Sequence, residues 1–443
     1  MSVLISLLAF SLLITILVGF HEGAHFLMCR VFNIRTLTFS IGMGPRIYSR
    51  KWGDTDFQFC AIPIGGYVRP MSKDDNPTPE DEPRLIENQA RWKQIAVYLA
   101  GPVSNFILAA ALFCFLGLVG VQDFSTALTD PPENSVAARM GVRAGDRLTG
   151  INGYPVKGYQ EANMALSTNV GKIISLRFDR RGGVFERELD LQQYSQAEAA
   201  KGFFITRLGL FPEFRDPVVG KLLPDMPAEK AGIRAGDRIY SVNGTVVKSA
   251  AEVVDQIRAA GTAEIGLVVG ALDNPEERRT VRVTPVITAE GRHQIGISIA
   301  GVPEMVLVRY SAADSLRMSW RKIVQIVTST VNASSEVVTG KAESKDVLAG
   351  PVGIANVAGQ ALRSGFTAFI EVLAMFSVAL GFMNLLPIPV LDGGQALVLM
   401  VESVIGRSFS KQVRSWIQYA GLCVVVFLMF VAFYSDLARL GFG

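Results

Sequence analysis

Four long apolar runs divide this chain into segments that can cross a membrane and segments that face water. A helix needs about 20 apolar residues to cross the bilayer core. The runs that meet this length are residues 3–29, 94–121, 366–391 and 416–434. Five basic residues occur between residues 30 and 51, and none occurs between residues 94 and 138. Because Lys and Arg collect in cytoplasmic loops, segments 30–93 and 392–415 are predicted to be cytoplasmic, with both termini and the long middle outside.

The first predicted cytoplasmic segment has a strand-like pattern. Residues 46–51 and 55–60 flank the turn signal Trp52-Gly53-Asp54, which predicts a membrane-associated β-hairpin. The glycine-rich stretch that follows allows another backbone to approach closely. The candidates for binding an extended substrate peptide there are Gly65, Gly66 and Tyr67. An ordinary surface hairpin is the alternative interpretation.

The middle of the chain contains an internal repeat. The segment from Gly141 to Leu148 recurs from Gly232 to Ile239, and each copy is followed by an Asn-Gly pair. A period of about 90 residues indicates tandem small domains rather than a solenoid. We place them at residues 126–212 and 213–302. Segment 303–365 is predicted to hold an amphipathic helix at the outer membrane surface and a linker, because apolar residues recur there at helical spacing among basic ones.

Composition supports a membrane protein with a water-exposed part. Of the 443 residues, 49% are hydrophobic, and the mean hydropathy is +0.32. The net charge of +3 is too small to indicate a nucleic-acid partner. The four cysteines do not suggest a disulfide framework. The first span lacks a basic leader and a small-residue cleavage site, so we expect it to be retained rather than removed as a signal peptide.

The first span carries the candidate chemistry, His21-Glu22-Gly23-Ala24-His25. Residues four apart lie on one face of a helix, so His21 and His25 can bind one zinc ion. Glu22 is then positioned as general base for an attacking water, as in the H-E-x-x-H signature. Ionisable side chains inside a membrane span are costly and usually functional. The chain has one other histidine, His293, so the third ligand must be of another type.

Asp392 is the candidate third ligand. It follows two prolines at the predicted cytoplasmic end of the third span, at the depth inferred for the two histidines. Two imidazoles and one carboxylate leave a fourth position of a single zinc ion open, as a catalytic site requires. Taken alone, however, an aspartate at the end of a helix would be unremarkable at the membrane interface.

These motifs resemble those of the site-two protease family of intramembrane zinc metalloproteases. The pentapeptide fits H-E-x-x-H, residues 384–393 fit N-x-x-P-x-P-x-L-D-G, and residues 101–105 fit G-P-x-x-N. The resemblance implies that Asn384 binds substrate and that single-span membrane proteins are cut within the bacterial inner membrane. The implied substrates are an anti-sigma factor of RseA type, in the sigma-E envelope stress response, and remnant signal peptides.

The two repeats resemble PDZ domains, most closely between Ala231 and Gly244 of the second copy; in the first copy, Met140 replaces the leading alanine. The resemblance implies that each copy binds peptide or protein C-termini through a carboxylate-binding strand. The implied ligand-binding residues are Leu208, Gly209, Leu210 and Phe211 in the first copy, and Ile295, Gly296 and Ile297 in the second. A role in excluding bulky proteins is an equal alternative.

The predicted fold class is therefore a polytopic α-helical membrane protein surrounded by membrane lipid. It has four transmembrane helices, a cytoplasmic-side β-hairpin and two extracytoplasmic PDZ domains of β-rich α+β type. The predicted function is intramembrane zinc proteolysis. The alternative is a membrane-anchored PDZ scaffold or chaperone without proteolysis. A metal transporter is disfavoured, because only one span besides the first carries a plausible ligand.

Overall fold

Long helices and short strands occupy different parts of the chain. The computed structural model describes residues 2–195, 198–199, 204–224, 226–248, 250–271, 277–287, 293–339 and 350–439. The chain divides into two units. The first, which we call the helical unit, comprises Met1–Gly120 and Arg309–Gly443, and the second, the sheet unit, comprises Val121–Val308.

The helical unit takes most of its length from long helices, whereas the helices of the sheet unit are short. In chain order, the α-helices of the described residues are α1 (Ser2–Val31), α2 (Arg91–Val119), α3 (Val136–Arg139), α4 (Tyr159–Thr168), α5 (Phe204–Arg207), α6 (Pro227–Lys230), α7 (Ala250–Ala260), α8 (Ala312–Val338), α9 (Pro351–Ser364), α10 (Phe366–Leu385), α11 (Asp392–Ile405) and α12 (Lys411–Arg439). Short 3-10 helices span Lys73–Asp75, Glu82–Arg84 and Ile86–Asn88.

Two long strands lie in the helical unit, and the other described strands lie in the sheet unit. They are β1 (Thr36–Trp52), β2 (Thr55–Pro70), β3 (Val121–Phe124), β4 (Arg147–Ile151), β5 (Tyr154–Pro155), β6 (Ile173–Arg180), β7 (Gly183–Asp190), β8 (Phe214–Leu222), β9 (Asp237–Val242), β10 (Thr245–Val246), β11 (Ile265–Ala271), β12 (Arg279–Val283), β13 (Val286–Ile287), β14 (His293–Gln294), β15 (Ile297–Pro303) and β16 (Met305–Val308).

Four of the described helices are long and apolar enough to cross a membrane, as predicted. They are α1, α2, α10 and α12. The third prediction, residues 366–391, is wrong at its end, because α10 stops at Leu385. Pro387 and Pro389 lack the amide N–H that would continue the helix. Segment 392–415, predicted to be a connecting loop, instead contains α11, whose buried Ala396, Leu399 and Glu402 recur at helical spacing.

Small residues allow the helices of the helical unit to pack closely. Leu13 of α1, Leu108 of α2, Ala358 of α9 and Phe369 of α10 belong to one buried apolar cluster. A Cβ atom at Gly359 of α9 would lie 2.2 Å from the hydroxyl oxygen of Ser6. The backbones of α9 and α1 can therefore approach each other, which is how small residues favour helix association in membranes.

Strands β1 and β2 form an antiparallel sheet with an unusual register. Phe39 of β1 pairs with both Phe57 and Val68 of β2, so the first part of β1 lies between two parts of β2. Residues 66–69 then form an edge, since their described pairing is with β1 alone. The predicted turn corresponds to the Trp52–Thr55 pairing that joins the two strands. Its location on the cytoplasmic side stays a prediction.

The sheet unit contains two separate hydrophobic cores. The first core, which includes Leu148 and Phe178, packs with a sheet in the order β5-β4-β6-β7. The second, which includes Ile239 and Leu267, packs with a sheet in the order β12-β11-β9-β8-β15. Strands β3 and β16 pair with each other and bring the two ends of the sheet unit together. Neither strand is predicted from the sequence, because four residues give too little pattern to recognise.

Glu402 of α11 joins the start of α12 through buried polar contacts. It is 1% exposed and accepts hydrogen bonds from the backbone N–H of Phe409 at 2.8 Å and from Nε of Arg414 at 2.9 Å. Burial by itself would raise the pKa of Glu402, but the hydrogen bonds from Arg414 and Phe409, together with the nearby charge of Arg91, hold that pKa below its ordinary value. The ionised form of Glu402 is therefore favoured in the folded protein.

Because the pKa of Glu402 is lowered by folding, its contribution to stability is complete above its ordinary pKa of 4.5 and is lost as the pH falls through the lower, folded value. We expect Glu402→Gln to reduce the free energy of unfolding by roughly 2–3 kcal/mol near neutral pH, somewhat less than for a fully buried pair, because Arg414 is partly exposed. Thermal unfolding in detergent at several pH values measures this effect.

The matched control is Glu264→Gln, because Glu264 forms an exposed ion pair with Arg282. Such pairs contribute little, so this variant should unfold like the parent. The contact of Glu402 would not stabilise the fold if the parent and Glu402→Gln were equally stable at pH 7. The same conclusion would follow if both proteins lost the same amount of stability between pH 7 and acid.

Candidate active site

Two histidines of α1 and an aspartate distant in sequence converge in the helical unit. Nε2 of His21 lies 2.9 Å from Oδ2 of Asp392, and Nε2 of His25 lies 3.4 Å from the same oxygen. The two Nε2 atoms are 3.2 Å apart. One potential ligand atom from each residue falls within 4.8 Å of the other two. Two imidazole nitrogens and a carboxylate oxygen form a donor set suited to catalytic zinc, with a position left for substrate or water.

Gly101 of α2 leaves room for the two imidazole rings. A Cβ atom at this position would lie 2.3 Å from Nε2 of His25 and 2.7 Å from Nε2 of His21. No side chain fits at such distances, so only glycine lets α2 pass this close to the histidine face of α1. The space that a Cβ atom would fill lies next to the nitrogens that would hold a metal ion, and this supports the fit of the site to zinc.

The outer ring nitrogens of the histidines also have partners on α2. Nδ1 of His25 donates to the carbonyl oxygen of Val97 at 2.7 Å. Val97 lies on α2, in the turn before Pro102. With its proton on Nδ1, His25 has a free electron pair on Nε2 for a metal ion. Nδ1 of His21 lies 3.2 Å from the side-chain amide of the buried Asn105.

Asp392 is placed by a tight connection between α10 and α11. Cβ atoms at Gly393 and Gly394 would lie 2.3 Å from the carbonyl oxygen of Leu385 and 2.0 Å from that of Ile388. Both positions therefore require glycine. The first turn of α11 packs against the backbone of the preceding loop, and this directs Asp392, the first residue of the helix, toward the histidines of α1.

The edge formed by residues 66–69 passes beside Glu22. A Cβ atom at Gly66 would lie 3.1 Å from Cγ of Glu22 and 2.6 Å from Cγ1 of Val18. The absence of a side chain at Gly66 therefore allows the strand to contact α1 at the half-buried Glu22. The structure thus brings the predicted base, the predicted ligands and one predicted substrate-binding residue into one region.

No contact with Glu22 or the predicted ligands is described for the other three predicted substrate-binding residues. Tyr67 follows Gly66 on the same edge and is 40% exposed. Gly65 precedes Gly66 and has a left-handed φ of 77°. Asn384 lies in the last turn of α10, before the loop that leads to Asp392. The roles of these three residues in substrate binding stay predictions.

The predicted peptide-binding residues differ between the two repeats. In the first copy, the backbone N–H groups of Gly209 and Leu210 donate to the carbonyl oxygens of Thr206 and Ile205. These two donors are engaged within the chain and not directed to a peptide carboxylate. In the second copy, Ile297 begins β15, which lies at the end of its sheet. The buried members of the two predicted sets are Leu208, Gly209, Leu210, Ile295 and Gly296.

Comparison with known proteins identifies the family to which this chain belongs. The sequence of residues 9–428 matches the profile of peptidase family M50. The chain therefore belongs to peptidase family M50. The family match confirms the predicted enzyme class, a metalloprotease of the site-two type, and with the four apolar helices it indicates a multi-pass membrane protein.

Relatives of similar length carry protease names. A protein of Neisseria meningitidis with the provisional name zinc metalloprotease is 30% identical, over 98% of this chain and 99% of its own. Protease RseP of Yersinia pestis is 30% identical, over 99% of this chain and 100% of its own. A solved PDZ domain of an SdrC-like protein from Listeria monocytogenes aligns with 20% of this chain and 90% of its own, at 21% identity and a TM-score of 0.18. That score is too low to support an argument about the fold.

Gly101, Val97 and Asn105 have no predicted role at the site, although residues 101–105 fit G-P-x-x-N. The available signals were that motif and the placement of a proline and an asparagine within an apolar span. Polar residues in membrane helices usually face a partner inside the protein, and that rule points to the neighbouring histidine helix.

We expect Gly101→Ala to weaken zinc binding at least about 10-fold, comparable to the loss of an outer-sphere contact, because its Cβ atom would overlap both Nε2 atoms. Zinc content of the purified protein measures this. The matched control is Gly23→Ala in α1, where a Cβ atom meets nothing within 4 Å. Parental zinc affinity in Gly101→Ala would contradict the close crossing of α1 and α2.

Proposed function

We propose that the chain is an intramembrane zinc metalloprotease that cuts the transmembrane segments of single-span membrane proteins. The observation that carries this proposal is the convergence of His21, His25 and Asp392 beside Glu22, in a chain of peptidase family M50. The three ligand atoms lie within 4.8 Å of one another, so they would hold a single zinc ion. The zinc metalloprotease name of a full-length relative supports the identity of the metal.

The residues of the site divide the chemistry between them. A bound zinc ion would supply Lewis-acid activation of water and of the scissile carbonyl. His21 and His25 present Nε2, and Asp392 contributes the negative charge that makes the site selective for a cation. Glu22 accepts a proton from the attacking water and returns it to the amine nitrogen that leaves. Glu22 is suited to this role because it adjoins His21 in sequence and lies beside the edge formed by residues 66–69.

That edge is suited to presenting substrate. A transmembrane helix hides its peptide bonds, so a substrate must unwind before cleavage, and its freed N–H and C=O groups then need partners. An extended peptide can pair with an exposed strand edge through backbone hydrogen bonds. Gly65, Gly66 and Tyr67 would hold such a peptide beside Glu22, and Asn384 would bind it from the end of α10.

The proposed topology places proteolysis near the cytoplasmic face of the bacterial inner membrane. The basic residues after α1 and those between α11 and α12 support cytoplasmic locations for both connections. The sheet unit and both termini are then periplasmic. As the resemblance to site-two proteases implies, the proposed substrate class is an anti-sigma factor of RseA type in the sigma-E envelope stress response, together with remnant signal peptides.

The two repeats of the sheet unit are proposed to act as PDZ domains that restrict access by untrimmed substrates. The engaged donors of Gly209 and Leu210 favour exclusion over peptide capture in the first copy. The edge strand β15 leaves capture of a peptide C-terminus open to the second copy. The alternative function, a scaffold without proteolysis, is opposed by membership of a peptidase family.

Loss of the proposed base should slow cleavage strongly and leave zinc binding intact. Glu22→Gln is expected to cut a labelled single-span substrate about 10²–10⁴-fold more slowly than the parent, because it cannot accept the proton. Purified protein in detergent, assayed for cleavage and for zinc content, tests this. Glu80→Gln is the matched control, since Glu80 is exposed. Undiminished cleavage by Glu22→Gln would exclude the assigned base, and loss of its zinc would indicate a structural role.

Removal of residues 126–302 should allow cleavage of substrates that retain their outer domain. The structure favours this excision because Phe124 of β3 pairs directly with Met305 of β16, so the cut ends lie side by side. Cleavage of intact and trimmed substrates is compared in membranes. Trimmed substrate should be cut equally by both proteins. If the shortened protein still cuts only trimmed substrate, the repeats do not act as a size filter.

A further inference from the structure

Helix α8 carries an exposed apolar stripe that has no part in the proposed proteolysis. The stripe consists of Leu316, Trp320, Val324 and Val331, which recur at helical spacing and are each between 40% and 67% exposed. Yet α8 is not among the four described helices that are long and apolar enough to cross a membrane. Apolar surface that stays in water is unfavourable, and a contiguous exposed patch usually marks a surface that another molecule covers.

A different side of α8 packs inside the helical unit. Ser315 and Ser319 are both fully buried. A Cβ atom at Gly117 of α2 would lie 2.6 Å from Oγ of Ser315, so the start of α8 lies directly against the last turn of α2. The backbone N–H of Tyr310 donates to the carbonyl oxygen of Gly117 at 2.9 Å and fixes this contact. The apolar stripe is therefore open to the surroundings at the end of a membrane helix.

A partly buried ion pair indicates how deep α8 lies. Nζ of Lys322 is 2.8 Å from Oε1 of Glu371 on α10 and 5.2 Å from the centre of the Phe113 ring on α2. Phe113 lies six residues before the end of α2, and Glu371 lies five residues after the start of α10. At 1.5 Å per residue, each is about 7–9 Å inside its helix. These contacts indicate that α8 enters the edge of the apolar layer and does not rest above it.

Two exposed arginines border the apolar stripe. Arg317 and Arg321 each follow a stripe residue by one position, so they lie about 100° around the helix from it. The side chain of Arg317 is 69% exposed, and its ion pair with Asp314 at 3.6 Å is of the exposed kind that contributes little. Arg321 is exposed as well. An apolar face beside basic side chains is typical of a helix that lies in the membrane interface and attracts anionic lipid.

We propose that acyl chains cover the apolar stripe of α8 and that Arg317 and Arg321 bind the phosphate group of an anionic phospholipid. Lipid is the occupant because the stripe begins beside the ends of two membrane helices, where the bilayer is already adjacent, and because the bordering charge is positive. Lys322 does not contribute to this lipid site. Its pairing with Glu371 instead holds α8 at the depth where the two arginines meet the phosphate layer.

This inference requires only that the chain is a membrane protein. It does not depend on the zinc site or on cleavage of a substrate. Under the proposed topology, the lipid belongs to the outer leaflet of the inner membrane, because α8 packs at the Val119 end of α2.

Quenching of Trp320 by brominated lipid tests the covering of the stripe. The chain has four tryptophans, and the other three, Trp52, Trp92 and Trp416, are all exposed. Their replacement by Phe leaves Trp320 as the only indole in the full-length protein. In phosphatidylcholine vesicles, bromine near the headgroup end of the acyl chains should remove more of the Trp320 emission than bromine near the chain ends.

The matched control is a second protein that keeps only Trp416, which lies on the membrane helix α12. Its emission should also be quenched by brominated lipid. If Trp416 is quenched and Trp320 is not, water or a second protein copy covers the stripe, and the proposal is wrong. Stronger quenching of Trp320 by bromine at the chain ends would contradict the proposed depth.

The choice of headgroup is tested with the protein that keeps only Trp320. Vesicles contain phosphatidylcholine with a minor fraction of phosphatidylglycerol, and the bromine is carried either by the phosphatidylglycerol or by an equal fraction of the phosphatidylcholine. Brominated phosphatidylglycerol should quench more strongly, because each arginine near the surface enriches anionic lipid by up to about 5-fold.

Exchange of both arginines separates charge from packing. The pair Arg317→Gln and Arg321→Gln should lose the preference for phosphatidylglycerol, whereas the pair Arg317→Lys and Arg321→Lys should keep it, since the attraction depends on positive charge. Both variants should unfold at the temperature of the parent, because the exchanged side chains are exposed. Equal quenching by the two preparations in the parent, or an undiminished preference in the glutamine pair, would overturn the assignment of an anionic lipid.

Discussion

Two imidazoles and one carboxylate meet in the helical unit although His21 and Asp392 are 371 positions apart in sequence. Polar groups in an apolar environment need partners, and here each ligand has the others within 3.4 Å. Glycine residues around this cluster allow the backbone to pack closely against it. Gly101 makes space for the rings, and Gly393 and Gly394 let α11 begin against the loop that carries Asp392. The site therefore depends on close backbone packing as much as on its ligands.

The same constraint connects the site to the proposed substrate path. Gly66 brings a strand edge against α1 at Glu22, so a peptide paired to that edge would lie near the base and the ligands. An enzyme that hydrolyses a peptide bond in a membrane must supply hydrogen-bond partners for an unwound segment. The paired strands β1 and β2 offer such partners within the unit that contains the catalytic residues.

The features that could be predicted from sequence are those encoded locally. Continuous apolar runs predicted the four long helices, and the spacing of His21, Glu22 and His25 indicated the metal site without tertiary information. The inferred depth of Asp392 indicates it as a ligand, but its convergence with the histidines depends on the long-range packing of α10 and α11. The end of α10, the helix α11 and the pairing of β3 with β16 were missed, because prolines, mixed polarity and very short strands obscure the periodic signal. The positions of Gly101 and Asn105 beside the histidines depend on the packing of α2 against α1, which no local sequence pattern predicts.

X-ray absorption at the zinc edge, on purified full-length protein and on Asp392→Asn, tests the central claim most directly. The arrangement of His21, His25 and Asp392 predicts one zinc ion per chain, with nitrogen and oxygen neighbours at about 2.0–2.2 Å and scattering from two imidazoles. It also predicts weaker zinc binding in Asp392→Asn. A sulfur neighbour at about 2.3 Å, or an unchanged spectrum and affinity in Asp392→Asn, would contradict the account.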